Sequence, residues 1–363
     1  MFNFFELEPD AFGLDFSDLC LRIAKLDKKQ DGFMVSFYSE TPLEPGIINN
    51  GDIRKEDELV KAIEKAIESV NGKSLDTKYV VASLPENKAF LEVIQMPLIP
   101  KEDLKSAVIY EAENHIPLPI EEVYLDSQIV IPIVDHLDHH DVLIAALPRK
   151  IVDPYVSVLK KAGLKPLALE TESLSKVRAL IKDETVNSPV AIIDIGKIKT
   201  SFIIFAGKSI RFSFYIPIAL KELIESVSGN LRVDYNEAEN LIREYGLEGK
   251  SDDGKKVFES MSFVLDNLVK QFKKYLDYYY THNSHEHLPV SCQKIEKIIL
   301  CGEEASLKGL SRYLSQRLET KVDLGDPWVN ILDSKQRESL ETSLEKSLSF
   351  TSALGLALRG ERK

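Results

Sequence analysis

The sequence predicts an α/β protein built from two similar halves, and three observations carry that prediction. The first 84 residues read strand, strand, helix, strand, the order of an α/β core. An acidic residue closes an apolar strand twice, at Asp15 and at Asp194, each time before a polar turn and a second strand; the two positions lie 179 residues apart, about half of the 363-residue chain. A third turn follows late in the second half, where the apolar strand ending at Cys301 meets Gly302 and a helix start. At about 150 residues per domain, the length allows two to three domains.

Residues 13–26, GLDFSDLCLRIAKL, give a short strand, a polar turn and a second strand. A turn at Pro45-Gly46 leads through IINNGDI into a helix, where Leu59, Ala62, Ile63, Ala66, Ile67 and Val70 recur at spacings of three and four and share one face. Residues 79–84, YVVASL, are a continuous apolar strand stopped by Pro85. Residues 85–149 read as a small α+β insertion, beginning with a strand over 89–96. Pro100 opens a helix in its first turn, where a missing N–H costs nothing. That helix carries Leu104, Ala107, Val108 and Glu111, and stops at Ile116-Pro117, since a residue before proline leaves the helical region. Two strands, within LPIEEVYLDSQIVIPIV and DVLIAALPR, bracket the polar hairpin HLDHH. A helix is expected from Asp153-Pro154 to Gly163, before Pro166.

The second core begins at Pro189 with strands over 190–194, 200–205 and 209–216. The chain then turns helical. Asp234 caps a helix over DYNEAENLIREYG, with Glu237 three residues on, a variant of the capping box. After the polar linker EGKSDDGKK, a long helix carries Val257, Met261, Val264, Leu265, Leu268, Phe272, Leu276 and Tyr279 on one stripe. A strand over 295–301, the Gly302 turn, a helix marked by Leu307, Leu310, Leu314 and Leu318, and a strand over 322–324 follow. The last helix, 348–359, carries the small residues Ala353, Gly355 and Ala357, which allow close packing.

With 46 Lys and Arg against 58 Asp and Glu, the formal net charge is −12. A negative surface opposes non-specific binding to DNA, RNA or anionic lipid, which require a positive field. The composition also excludes a disordered chain and a disulfide scaffold. No apolar run reaches the roughly 18 residues that a membrane span needs, and the N-terminus lacks the features of a signal peptide. Cys20, Cys292 and Cys301 show no CxxC spacing and read as reduced thiols. His136, Asp138, His139, His140 and Asp141 read as a solvated hairpin tip, because zinc sites draw ligands from rigid elements. His282, His285 and His287 close a helix, where they complement its dipole. The run Tyr278-Tyr279-Tyr280 is part core and part surface. No Ser/His/Asp or Cys/His arrangement stands out.

Several segments carry a family likeness along nearly the whole chain: LEPGIINNGDI, QMPLIPKEDLKSAVIYEAENHIPLPIEEVYLDSQIV, AGLKPLALETESL and the closing ALGLALRG. EAENHIPLP followed by VYLDSQ is the most specific of them. With the three turns, they resemble the PilM family of type IV pilus assembly proteins, an FtsA-related branch of the actin-like ATPase superfamily. The resemblance implies duplicated ribonuclease-H-like lobes, with an α+β insertion in lobe 1 and a mostly helical one in lobe 2. The implied division is 1–84, 150–186 and the C-terminal helix 345–363 for the lobe 1 core, 85–149 for its insertion, 187–217 and 291–344 for the lobe 2 core, and 218–290 for the helical insertion.

The resemblance also implies a cytoplasmic scaffold, peripheral to the inner membrane through protein partners and not inserted in it. Such proteins bind the N-terminal tail of a PilN-like bitopic protein in a groove between lobe 1 and its insertion, and meet other pilus platform proteins. Ile116-Pro117-Leu118-Pro119 reads equally as a rigid wall of that groove and as a loop that stops a helix. ATP or ADP with Mg²⁺ is implied between the lobes, with weak or regulatory hydrolysis and no catalytic residue assigned.

The family's nucleotide turns are altered here. The first, commonly GIDIGSSSVK, reads GLDFSDLCLR: Asp15 remains, but Ser17, Asp18 and Arg22 stand where glycine, serine and lysine are usual. The second keeps Asp194 and Gly196, then continues with Lys197, Ile198, Lys199 and Thr200. The following helix keeps Glu239, but the usual lysine aligns with Ile242, beside Arg243. The third, commonly SGGGA, reads Cys301-Gly302-Glu303-Glu304-Ala305. A carboxylate about 8 Å from a phosphate charge costs on the order of 2 kcal/mol. Glu303 and Glu304 either face the cleft at that cost or point outward at a helix N-terminus, where negative charge is favourable. The resemblance, with these departures, implies a scaffold with a degenerate nucleotide site. Two other functions share the fold. An actin-like ATPase or phosphotransferase would use Asp15 and Asp194 to organise Mg²⁺ and phosphates, but needs intact phosphate loops. A cytoplasmic type II secretion component would normally continue into a membrane helix.

Overall fold

β1 (Ala11–Phe16) is buried along its whole length, which places it inside a sheet with both faces covered. It pairs antiparallel with β2 (Cys20–Lys29), which pairs antiparallel with β3 (Gly32–Pro42). A short ladder of β4 (Ile48–Asn49) and β5 (Asp52–Ile53) leads into α1 (Glu56–Glu68), whose first turn carries Glu56, Asp57 and Glu58 in favourable positions for the helix dipole. β6 (Tyr79–Leu84) returns parallel to β1. The computed structural model describes residues 10–29, 32–68, 75, 77–130, 138–282, 293–333, 336–337 and 343–361.

β7 (Phe90–Pro97), α2 (Lys101–His115), β8 (Val123–Ile129) and β9 (His139–Pro148) form a separate antiparallel sheet in the order β7-β9-β8. Leu104, Val108 and Ala112 of α2 close its core against Ile94, Val142 and Ile144. The chain returns to the first sheet through α3 (Arg149–Lys161) and β10 (Lys165–Thr171), giving the strand order β10-β6-β1-β2-β3. α4 (Glu172–Leu180) is buried at nearly every position, polar ones included, and carries the chain between the sheets.

The second half repeats the plan. β11 (Val190–Ile195), β12 (Thr200–Ala206) and β13 (Ser209–Ile216) form an antiparallel meander. Then come α5 (Leu220–Leu231), α6 (Tyr235–Tyr245) and α7 (Asp252–His282), followed by β14 (Lys297–Cys301), α8 (Leu310–Leu318) and β15 (Lys321–Leu324). The sheet order is β13-β12-β11-β14-β15, the first sheet's arrangement strand for strand. α9 (Leu344–Leu348) and α10 (Thr351–Gly360) end the chain. Asp234 caps α6 as expected, accepting a hydrogen bond from the Glu237 N–H at 2.9 Å.

Several boundaries differ from the sequence reading. The helix expected at Asp153-Pro154 begins at Arg149, with Pro154 inside it. Pro148 is its N-cap, so the helix starts about one turn before the expected Asp153-Pro154. The last helix is two, broken at Ser349-Phe350. α8 starts at Leu310, not Leu307, because Gly309 adopts a left-handed conformation before it. α7 begins within the expected linker, at Asp252. β3 is an addition to the elements read from the sequence: only Thr41 is buried and the other positions are half-buried or exposed, so it lacks the apolar run that marks β1 and β6. Val70, Cys292, His136, His285 and His287 lie outside the described residues. Of the tyrosine run, Tyr279 is buried, while Tyr278 and Tyr280 are exposed.

α10 lies against β1, β6 and α4, and glycine sets how closely. A Cβ on Gly355 would come within 1.9 Å of the Ser175 carbonyl oxygen, and one on Gly13 within 2.3 Å of the Ala353 carbonyl oxygen. Backbone meets backbone there, so no side chain can yield. Gly355→Val is therefore expected to lower unfolding free energy in urea by about 3 kcal/mol. Gly229→Ala in α5, where an added Cβ meets nothing within 4 Å, is expected to raise it by about 0.5–1 kcal/mol.

Candidate functional site

The two sheets place the paired acidic residues alike. Asp15 is the fifth residue of β1 and pairs with Arg22; Asp194 is the fifth residue of β11 and pairs with Ser201. Both face a cleft between the sheets, whose floor is completed by Glu172 and Lys176 of α4. Gly196, Lys197, Lys199, Gly302 and Glu303 also line it. The enclosed volume is about 60 Å³, against roughly 300–1,000 Å³ for a typical ligand pocket.

On the floor, Lys176 contacts the Asp194 carboxylate and lies 2.8 Å from Glu172 Oε2. The other Glu172 oxygen is 2.5 Å from the Lys199 ammonium. Burial opposes charge on Lys176, but Asp194 and Glu172 overcome it and raise its pKa well above the ordinary lysine range. Burial likewise opposes charge on Glu172, and Lys176 with Lys199 overcomes it and holds the carboxyl low. Asp15 behaves in the opposite way. Its burial, reinforced by the Glu172 charge, raises its pKa to about 6 against the attraction of Arg22 and Lys176. One Asp15 oxygen is buried without a hydrogen-bond partner.

At the mouth, Glu303 binds Lys197 at 3.0 Å and Arg22 Nη2 at 3.2 Å, and Arg22 Nε also binds Glu40 at 2.6 Å. Gly302 positions this turn. Its φ is +94°, and a Cβ there would fall 2.0 Å from Asp194 Oδ1. Glu304 turns the other way. It is buried and paired with Arg243 at 3.2 Å, which also binds Glu239 at 2.7 Å. The two glutamates thus take different directions, and neither caps a helix, since α8 starts only at Leu310. Cys301 is buried on β14, and burial pushes its thiol well above the usual range.

The remaining residues singled out by the sequence fall as follows. Asp18 is absent from the cleft; its carboxylate accepts the N–H groups of Asn50 at 2.5 Å and Gly51 at 3.1 Å and so fixes the β4–β5 turn. Ser17 lines the cleft, and its hydroxyl accepts the Leu19 N–H at 3.2 Å. The Thr200 hydroxyl is used by the Ile218 carbonyl at 2.6 Å. Ile116 is buried in the insertion core and Leu118 packs on it, while Pro117 and Pro119 are exposed. The residues that follow this segment meet α3, where Arg149 donates to the Glu121 carbonyl at 2.8 Å and covers the Tyr124 ring. His139, His140 and Asp141 belong to β9 and not to a solvated tip: His139 binds Asp138 at 2.9 Å, and the buried Asp141 binds Arg211 at 2.8 Å, joining the insertion to β13. Among the described residues no group of three or more His, Cys, Asp or Glu is arranged to hold a metal ion.

Sequence reasoning missed Glu172 and Lys176. The available signal was their spacing of four in ETESLSK, which brings a Glu and a following Lys together on one helix face. A buried polar helix has no apolar stripe to announce it.

The raised Asp15 pKa sets a pH dependence. In the unfolded chain Asp15 ionises near 3.8, but in the fold only near 6. Its ionisation therefore destabilises the fold progressively as pH rises from about 4 to 6, at a cost of up to about 3 kcal/mol. Asp15→Asn is expected to flatten this part of the stability profile. It should raise unfolding free energy above pH 7 by about 1–3 kcal/mol, measured by urea titration from pH 4 to 8.

Residues 13–361 match the family model of type IV pilus assembly protein PilM. A chain of the PilM–PilN type IV pilus biogenesis complex is 24% identical, with 98% of this chain and 100% of that chain covered and a TM-score of 0.80. MreB5 of Spiroplasma citri bound to AMPPNP is 10% identical, covering 97% and 96%, with a TM-score of 0.56. The ethanolamine utilization protein EutJ of Carboxydothermus hydrogenoformans is 14% identical, covering 96% and 88%, with a TM-score of 0.55. At these identities the solved structures establish the actin-like fold.

Proposed function

The chain belongs to the PilM family of type IV pilus assembly proteins, and from that premise we propose that it is a scaffold binding the N-terminal tail of a PilN-like membrane protein, with a degenerate nucleotide cleft. The family match over residues 13–361 carries the reading. The related complex assembles with PilN, and no helix among the described residues here is long and apolar enough to cross a membrane. A tail from a membrane-anchored partner would place this acidic chain at the cytoplasmic face of the inner membrane without lipid contact of its own.

The degeneracy follows from charge. A nucleotide triphosphate needs unpaired cations and backbone N–H groups around its oxygens. Here Arg22, Lys197 and Lys199 are each committed to a carboxylate, and Glu303 adds a negative charge at the mouth. Asp15, Asp194, Gly196 and Gly302 keep the frame on which a working site would be built, which favours the second reading, an ATP-binding ATPase. Calorimetry with Mg-ATP separates the two. No heat of binding is expected up to millimolar nucleotide, and micromolar binding would establish the second reading.

For the partner tail, the exposed Pro117 and Pro119 of the insertion are the surface we assign to the groove. Pro119→Asp is expected to weaken capture of a synthetic PilN-type N-terminal peptide by about tenfold or more, at unchanged melting temperature. Retained capture would remove these prolines from the groove.

A further inference from the structure

The ion pairs of the cleft have a property that the family assignment does not contain: they tie one half of the molecule to the other. Arg22 belongs to the first sheet and Glu303 follows β14 of the second. Glu172 and Lys176 enter on α4 directly from β10 of the first sheet. Their partners, Lys199 and Asp194, belong to the second sheet. Three charged contacts therefore join the halves, one across the mouth of the cleft and two on its floor, between α4 and the second sheet.

They also use the charges that a metal-bound anion would bring. On the floor, the Lys176 ammonium sits between two carboxylates, with 3% of its side chain exposed. That is the electrostatic place of a cation. At the mouth, the Glu303 carboxylate sits between Lys197 and Arg22, the electrostatic place of an anion. The carboxylates facing the interior of the cleft (Asp15, Glu172, Asp194 and Glu303) are matched in number by its cations (Arg22, Lys176, Lys197 and Lys199). A balanced set of this kind offers no net field to a further anion, and removing either partner of a pair on its buried floor leaves an uncompensated charge.

We infer that these side chains are an internal clamp: Lys176 and Glu303 replace the metal and the anion, and hold the two lobes closed without any ligand. This rests on the reading of the cleft as a degenerate nucleotide site and extends it, since an empty degenerate cleft would lack these ties and keep only those outside it, such as Asp141–Arg211. The consequence is a rigid scaffold whose lobe geometry is constant whatever the nucleotide level. Opening requires breaking all three crossing pairs together.

The test is the inter-lobe distance, measured on the full chain by pulsed electron spin resonance. Spin labels go on Lys61→Cys in α1 and Lys270→Cys in α7, both exposed, in a Cys292→Ser background; the remaining thiols, Cys20 and Cys301, are buried. One narrow distance population is expected, identical with and without Mg-ATP. Glu303→Gln keeps the shape of the side chain and loses two ion pairs; it is expected to broaden the population towards longer distances, and 1 M salt to add to that broadening. Lys199→Gln gives an independent check from the floor of the cleft. A broad distribution in the unsubstituted cleft, with no heat on titrating Mg-ATP, overturns the clamp and leaves the degenerate site standing. A broad distribution that narrows on adding Mg-ATP overturns both. A narrow population that both glutamine variants leave unchanged, with circular dichroism confirming their fold, also overturns the clamp.

Discussion

The ammonium of Lys176 is the charge around which the two halves of this molecule meet. It is taken out of water, which by itself costs several kcal/mol, and is held there by Glu172 one helical turn away and by Asp194 from the opposite sheet. Glu172 in turn binds Lys199, and its charge is felt by Asp15. Lys176, Glu172 and Lys199 are tolerable in buried positions only because opposite charges stand beside them, whereas the Glu172 charge opposes ionisation of Asp15. The ionised state of Glu172, the raised pKa of Asp15 and the narrowness of the cleft are consequences of one arrangement.

That arrangement is possible because the two sheets are built alike. The same strand order puts Asp15 and Asp194 at equivalent ends of equivalent strands. Backbone packing then brings the halves to a fixed separation. Gly13 and Gly355 let α10 approach β1 and α4 at backbone distance, and Gly302 lets the third turn close on Asp194. A larger residue at any of these points would move a charged group away from its partner.

Much of this was legible along the chain, and the reasons differ by element. The apolar runs of β1, β6 and β11 and the stripe of α7 announce themselves because burial acts on a repeating side-chain period. The small residues of α10 were readable as close packing for the same reason. β3 was not, although the duplication contained the clue: its counterpart β13 was visible, and a repeat of the first half requires a third strand there. The candidate site was half legible. Asp15, Asp194, Gly302 and Glu303 stand on turns that the pattern marks. Asp18 sits in one of those turns and serves a different one, as an acceptor for the Asn50 and Gly51 N–H groups. Its role depends on a contact 32 residues away, which no local spacing encodes.

The sequence by itself determined the α/β class, the duplication and the family, because these follow from periodicity and from motifs that are continuous in the chain. Only the tertiary structure decided the state of the cleft. Whether Glu303 and Glu304 face inward or outward, and whether the cations are available or committed, depends on pairs separated by as many as 281 residues. Charge acts through space, so its balance is fixed only when the fold has brought those residues together.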